Sequence, residues 1–213
     1  MKSADCPTSS RTGSTHLKRP SGSVLLLGRS LLIALACASS APCLSQVTAT
    51  VMTSDSPSVV KVERTGSGFQ LIRNGKPYLV KGAGGYQYLD LLVSSGGNSI
   101  RTWGTDNLGQ ILDDAEQKGL TVTAGIWLQH QDGMNYHDSA AVAKQLEMCR
   151  DVVRKYKNYP ALLVWAFGNE EEGDGKDPAV FKAVNDIAAM AHQEDPNHPA
   201  MTVMAEIGRR DQS

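Results

Sequence analysis

Leu162-Leu-Val-Trp-Ala-Phe-Gly-Asn-Glu-Glu-Glu172 is the stretch on which the reading of this chain turns. Six apolar residues form a β-type run that stops abruptly at Gly168-Asn169-Glu170. A strand that is apolar throughout is buried on both faces, and a carboxylate at the C-terminal tip of such a strand is where barrel enzymes keep their reacting groups. An ionised carboxyl held in apolar surroundings is costly, so it is either paired or raised in pKa. Glu170 is therefore the first candidate for a proton donor. Glu171, Glu172 and Asp174 read as a solvated strand-to-helix loop.

Outward from this strand the chain alternates strand and helix. Residues 60–64, 69–73 and 77–81 are short strand-like segments joined by Thr65-Gly-Ser-Gly68 and by Asn74-Gly75, the second a strong hairpin signal. Residues 78–83 then lead into a short apolar helix over 88–95 and a second strand over 98–103. The next helix, 107–118, carries Leu108, Ile111, Leu112 and Ala115 on one face and stops at Gly119. Residues 121–127 form the third strand. A long helix over 139–156 lines up Val142, Leu146, Cys149, Val153 and Tyr156, and Pro160 closes the connection to the fourth strand. Asp177-Pro178 caps a last helix whose expected buried face is Phe181, Val184, Ile187, Ala188 and Ala191, and residues 200–205 form a fifth strand.

Repeated strand-helix units with near-continuous apolar strands predict an α/β fold with a parallel sheet covered by helices. A doubly wound nucleotide binder would carry a glycine-rich fingerprint after its first strand. Gly82-Ala-Gly-Gly85 lacks both the G-x-G-x-x-G spacing and the long helix behind it. The expected fold is therefore a (β/α)8 TIM-type barrel preceded by a β-hairpin. Only five strand units are present where a barrel closes with eight, so the chain reads as truncated to about the first five strands, a fragment or a shortened product.

The start of the chain sets a compartment. Lys2, Arg11, Lys18, Arg19 and Arg29 precede the apolar run Ser30-Leu-Leu-Ile-Ala-Leu-Ala-Cys-Ala38, the order of a secretory signal. The domain reading is thus a signal over 1–38, a disordered lead-in rich in Ser, Thr, Ala and Pro over 39–59, and the partial barrel over 60–213, with the product secreted or periplasmic. Arg29 interrupts the apolar run well short of the roughly 18 residues a membrane span needs. Taking five basic and one acidic residue from totals of 21 and 22 leaves 16 and 21, a mildly acidic mature part that courts neither nucleic acid nor anionic membrane. Removal of the leader leaves Cys43 and Cys149, too few for a disulfide framework. The histidines show no metal-ligand spacing, so neither a metal nor a cofactor is expected.

Three segments together resemble a known family: Asn74-Gly-Lys-Pro-Tyr-Leu-Val-Lys-Gly82, Asn98-Ser-Ile-Arg-Thr-Trp103 and Tyr159-Pro-Ala-Leu-Leu-Val-Trp-Ala-Phe-Gly-Asn-Glu170. They look like the start of the catalytic barrel of retaining glycoside hydrolases, in particular the β-galactosidase, β-glucuronidase and β-mannosidase group of family 2. The wider clan includes cellulases and β-glucanosyltransferases. The resemblance covers about residues 60–207. It implies a β-linked oligo- or polysaccharide as substrate, Glu170 as acid/base, Asn169 as the residue that holds the sugar 2-hydroxyl, and Arg101 beside the nucleophile. The chemistry fits, since glycoside cleavage needs a protonated carboxyl at the leaving oxygen and a second carboxylate about 5–5.5 Å away. Arg101 reads equally as a buried arginine paired within the barrel. Trp103 and Trp127, at strand ends, read equally as platforms for sugar rings or as core, whereas Trp165, within its strand, reads as core. His130 lies just past the third strand, as a mouth residue or an incidental loop histidine.

In the family the nucleophile glutamate stands on the seventh strand, which this chain lacks; Glu206 lies beside Glu170's strand rather than across the mouth. Three functions follow: a retaining glycoside hydrolase whose nucleophile is missing here, a β-glucan transglycosylase, or a non-catalytic carbohydrate-binding remnant. The reading frame beyond Ser213 separates enzyme from remnant. An open five-strand piece leaves an exposed barrel edge, through which the isolated chain is expected to self-associate.

Overall fold

A computed structural model describes residues 56–205, all within the unit Thr48–Ser213. The leader, Cys6, Cys37, Cys43, residues 39–55 and the tail from Glu206 onward lie outside the described residues.

The hairpin expected at Asn74-Gly75 is present. Strands β1 (Val60–Thr65), β2 (Gly68–Arg73) and β3 (Lys76–Pro77) form an antiparallel sheet in that order, with Arg73 paired to Lys76 across a two-residue turn. Asn74 and Gly75 have φ of 50° and 75°, the paired left-handed conformations that a type I′ turn requires. Pro77 sits on an edge strand, where its missing N–H costs no ladder bond.

A second sheet holds five parallel strands, β4 (Gly82–Gly84), β5 (Ser99–Arg101), β6 (Thr121–Ile126), β7 (Leu162–Phe167) and β8 (Ala200–Met201), and their spatial order is their sequence order. The crossovers are helices α1 (Leu89–Ser94), α2 (Leu108–Gln117), α3 (Ser139–Tyr156) and α4 (Pro178–Glu194). A doubly wound sheet reverses its order at a switch point; this one never reverses, which is the winding of a barrel. Described residues 56–205 thus form an α/β, partial TIM-barrel fold behind a small antiparallel sheet.

The central strands are the long ones. β6 and β7 are buried along most of their length, and their apolar residues join Leu108, Leu112, Cys149, Val153 and Ile187 in one core. Burial pushes the Cys149 thiol up to about 12, so it packs as a neutral apolar group. The helix start predicted from capping is present, with Asp177 accepting from Ala179, and α3 has a cap of its own in Asp138, which accepts from Ala140 and Ala141. Opposite Arg150 and Arg154 on α3, Glu194 at the end of α4 is held down to about 2 by their hydrogen bonds. No helix among the described residues is long and apolar enough to cross a membrane.

Three expectations need correction. Residues 78–81 make no strand, because their polar groups bridge the two sheets: the Tyr78 N–H goes to the Leu71 carbonyl and the Lys81 N–H to the Asn98 side chain. The fifth strand stops at Met201 instead of 205, because the backbone after it serves the loop behind β7. Helix α4 buries Val180, Ala183, Ile187, Met190 and Ala191, so only part of its expected face is right; Phe181, Val184 and Ala188 turn towards a cavity beside β8.

Ordered contacts begin by Ser58, inside the expected lead-in. Its hydroxyl donates to the Leu162 carbonyl at 2.6 Å and lies 3.0 Å from His198 Nε2, while His198 Nδ1 lies 2.8 Å from Asp195 Oδ2. That same carboxylate oxygen accepts the Trp165 indole N–H at 2.8 Å, so Trp165 is core, as expected. The spacing is that of a Ser-His-Asp relay, but the three residues are only 1%, 3% and 1% exposed and no substrate reaches them. They fasten the entry segment to the N-terminal end of the sheet. Burial pushes Asp195 up, but the hydrogen bonds from His198 and Trp165 outweigh it and hold the carboxyl below its usual range. Its contribution to stability is therefore present above the ordinary carboxylate range and lost as pH falls through the lowered value. Replacing His198 by Ala is expected to cost about 1–3 kcal/mol at neutral pH, the effect of leaving a buried polar group unpaired. Urea unfolding measures it, and an unchanged midpoint would show that the network contributes nothing.

Candidate functional site

The C-terminal ends of β5 and β7 carry the residues singled out in the sequence. The last ladder bond of β7 is Gly168 N–H to Ile126 carbonyl at 2.8 Å, after which the chain turns sharply. Gly168 has φ of 78° and Glu170 has φ of 63°. For a residue with a Cβ the left-handed region costs roughly 1–2 kcal/mol, so something must hold Glu170 there. One such tie is its own N–H, which donates to the Val203 carbonyl at 2.8 Å.

Arg101 ends β5, two strands away from β7, and reaches across β6. Its Nη2 donates to Asn169 Oδ1 at 2.9 Å. An arginine side chain has only donors, so this bond decides which way the Asn169 amide faces: the oxygen is turned to Arg101, and the amide N–H groups, which meet no acceptor among the described residues, point elsewhere. The Arg101 guanidinium also lies 5.4 Å from the Trp103 ring centroid, and its buried Nε has no partner among the described residues.

Glycines let these groups approach. A Cβ at Gly84 would stand 2.6 Å from the Trp103 ring, and one at Gly125 would stand 2.1 Å from the Thr102 carbonyl oxygen. The Gly125 N–H donates to Thr102 Oγ1 at 2.9 Å, fixing the backbone between Arg101 and Trp103. Trp103 is 43% exposed and Trp127, just past β6, is 50% exposed. A groove of about 520 Å³ runs along this sheet past Gly84, Arg101, Thr123 and Leu163, within the size range of small-ligand sites.

The structure thus brings together Arg101, Trp103 and Asn169, with Glu170 next in the chain. His130 instead contacts Asp132 in its own loop, and no hydrogen bond or ring contact among the described residues joins it or Trp127 to Asn169 or Glu170. Among the same residues no group of three or more His, Cys, Asp and Glu could hold a metal ion.

The carboxylates are arranged otherwise than the sequence suggests. Glu170 is exposed, Asp174 is exposed, and the pair read as solvated, Glu171 and Glu172, are 2% and 5% exposed. The Glu171 carboxyl fills the space where Gly168 has no Cβ, and Glu172 accepts the Ala205 N–H. Both line a cavity of about 300 Å³ together with Phe167, Phe181 and Val184. Burial raises the Glu171 pKa; its own N–H and that of Asn169, with His130, draw it back, while Glu172 adds to the rise. The argument from apolar surroundings therefore applies to Glu171, one residue beyond the position it selected. The signal that could have revealed this is Gly168 itself, the only residue at the turn without a side chain to exclude a returning carboxyl.

No protein-family model matches the chain, and no curated protein matches it. Solved structures do. A family 2 β-galacturonidase from Eisenbergiella tayi bound to galacturonate superposes with a TM-score of 0.56 at 18% identity, over 68% of this chain and 28% of its own. A Bifidobacterium dentium β-glucuronidase complexed with coumarin-3-O-glucuronide gives 0.56 at 21% identity, over 70% and 27%. The β-glucuronidase of Faecalibacterium prausnitzii gives 0.56 at 18%, over 70% and 28%. The fold is shared with glycoside hydrolase family 2 structures. This chain spans little more than a quarter of their length.

A raised carboxyl pKa means that the folded state keeps its proton to higher pH than the unfolded chain does. Stability linked to Glu171 is then full below about 4.3, the unfolded carboxyl value, and declines as pH rises through the folded one. Glu171→Gln is expected to remove that decline and to be the more stable protein at neutral pH. Urea midpoints measured across that range check it; parallel curves for the two proteins would contradict the burial.

Proposed function

We propose that this chain is the acid/base-bearing part of a barrel that cleaves β-linked saccharides with retention of configuration. The observation that carries the reading is the Arg101–Asn169 hydrogen bond, because it leaves an amide with two free donors beside Glu170 at the end of β7. In this reading Asn169 donates to the sugar 2-hydroxyl, a bond that tightens as the transition state develops positive charge on the ring. Glu170, exposed at the same edge, protonates the leaving oxygen and then activates water. Arg101 keeps a buried Nε that has no partner among the described residues, available to a second carboxylate, the nucleophile, which it would hold ionised. That nucleophile is assigned to strands beyond β8. Trp103 and Trp127 are exposed enough for sugar rings to stack on them. The ligands named in the neighbouring structures make uronides the first substrates to test, and the leader proposes action outside the cytoplasm.

A second reading, carbohydrate binding without chemistry, is favoured by the burial of Glu171 and Glu172, which leaves Glu170 as the exposed carboxylate of this turn. Aryl β-glycosides of graded leaving-group ability, offered to the chain alone and with the further barrel strands supplied, separate the two. The enzyme reading expects Glu170→Gln to lose turnover of poor leaving groups by about 10²- to 10⁴-fold, to accumulate a glycosyl-enzyme with good ones, and to be rescued by azide to a β-glycosyl azide. Hydrolysis of unactivated glycosides by Glu170→Gln at the parent rate would refute it. Binding without turnover under every condition would leave the binding reading.

A further inference from the structure

We propose that Glu171 is a positioning residue: its buried carboxyl, seated in the space Gly168 leaves for want of a Cβ, holds the turn that presents Asn169 and Glu170. The inference rests on the proposed function for what those two residues do, but its geometry stands independently.

The fit is steric first. A Cβ on residue 168 would lie 1.1 Å from Glu171 Oε1 and 2.1 Å from its carboxyl carbon, so the carboxyl occupies that volume outright. Two left-handed residues, Gly168 and Glu170, reverse the chain within three positions and bring Glu171 back beneath the end of β7. Its main chain is fastened as well, the Glu171 carbonyl accepting the Gln131 N–H at 3.0 Å from the loop after β6. The carboxyl thus sits at the centre of the turn, with the N–H groups of Asn169 and Glu171 acting on it favourably. Oε1 is buried with no hydrogen-bond partner among the described residues.

The charged groups that bear on it are few. Glu172, from its own loop, repels the ionised form, and His130, from the loop after β6, attracts it. Tyr136 senses the same carboxyl from that loop. From α4 the cavity wall is mostly apolar, with Val180, Phe181 and Val184, and Asn185 is its one polar side chain among the described residues. A neutral carboxyl suits that wall; an ionised one is drawn towards the N–H groups and His130. Because the carboxyl fills the centre of the turn, a proton gained or lost there is expected to be felt at Asn169.

The test uses the full chain and needs no turnover. Side-chain and backbone amide resonances of Asn169 and Glu170 are followed against pH, with the Glu171 carboxyl carbon as reporter of its own titration. In the parent the Asn169 side-chain amide is expected to shift with the inflection of Glu171. In Glu171→Gln that inflection disappears from the Asn169 amide. Gly168→Ala, whose methyl takes the carboxyl's place, should displace the Asn169 amide and weaken binding of a methyl β-glycoside about fivefold, the loss of one hydrogen bond. Should Gly168→Ala fail to fold, Glu171→Gln carries the test. An Asn169 amide that stays flat through the Glu171 titration would overturn the proposal even where glycosides bind. Coupled titration in a chain that binds no glycoside even with the further barrel strands supplied would uphold the positioning and sink the glycosidase reading instead.

Discussion

One hydrogen bond, from Arg101 Nη2 to Asn169 Oδ1, constrains the whole candidate site. It joins β5 to β7 over an intervening strand, so it exists only if three parallel strands are in register and end at one edge. Gly125 and Thr102 set the height of the β5 end, and Gly84 makes room for the Trp103 ring against which the guanidinium lies. Because arginine cannot accept, the bond also fixes the chemical face that Asn169 shows to solvent. A donor pair at a strand tip beside a carboxylate follows from sheet register and not from loop chance.

The two ends of the sheet bear different loads. At the N-terminal end every polar group in the Ser58–His198–Asp195–Trp165 network has a partner, and the network ties the entry segment to β7 and α4. At the C-terminal end the local rules are broken: Glu170 is left-handed, Glu171 is buried, and Arg101 and Glu171 each keep a buried polar atom with no partner among the described residues. Unsatisfied polar groups and unfavourable backbone are tolerated where the surrounding structure over-determines them, and they cluster where function is carried. Beside β8, Phe181 and Val184 face a cavity and Met201 is 42% exposed, so the same end also carries the apolar surface of the open sheet.

Much of this was legible in the sequence because it is local. Asn74-Gly75 specifies its turn by left-handed preference, Asp177-Pro178 announces its helix by capping, and the unbroken apolar run of β7 declares burial on both faces. Asn169 and Arg101, which the sequence offers separately, both sit at strand ends, which parallel winding gathers at one edge. What sequence could not give depends on contacts distant along the chain. The burial of Glu171 combines the Gly168 slot with the Gln131 bond; α4 turns Phe181 and Val184 towards the cavity beside β8; Ser58 is held by Leu162 and His198, more than a hundred residues away.

The central claim, that Arg101 holds the Asn169 oxygen so that its N–H groups meet a sugar hydroxyl, is tested most directly by comparing binding of a methyl β-glycoside with its 2-deoxy analogue to the same protein. The account predicts that the parent prefers the hydroxylated ligand by about 1 kcal/mol, roughly fivefold, and that Asn169→Ala binds the two alike. Equal binding of both ligands by the parent would contradict it.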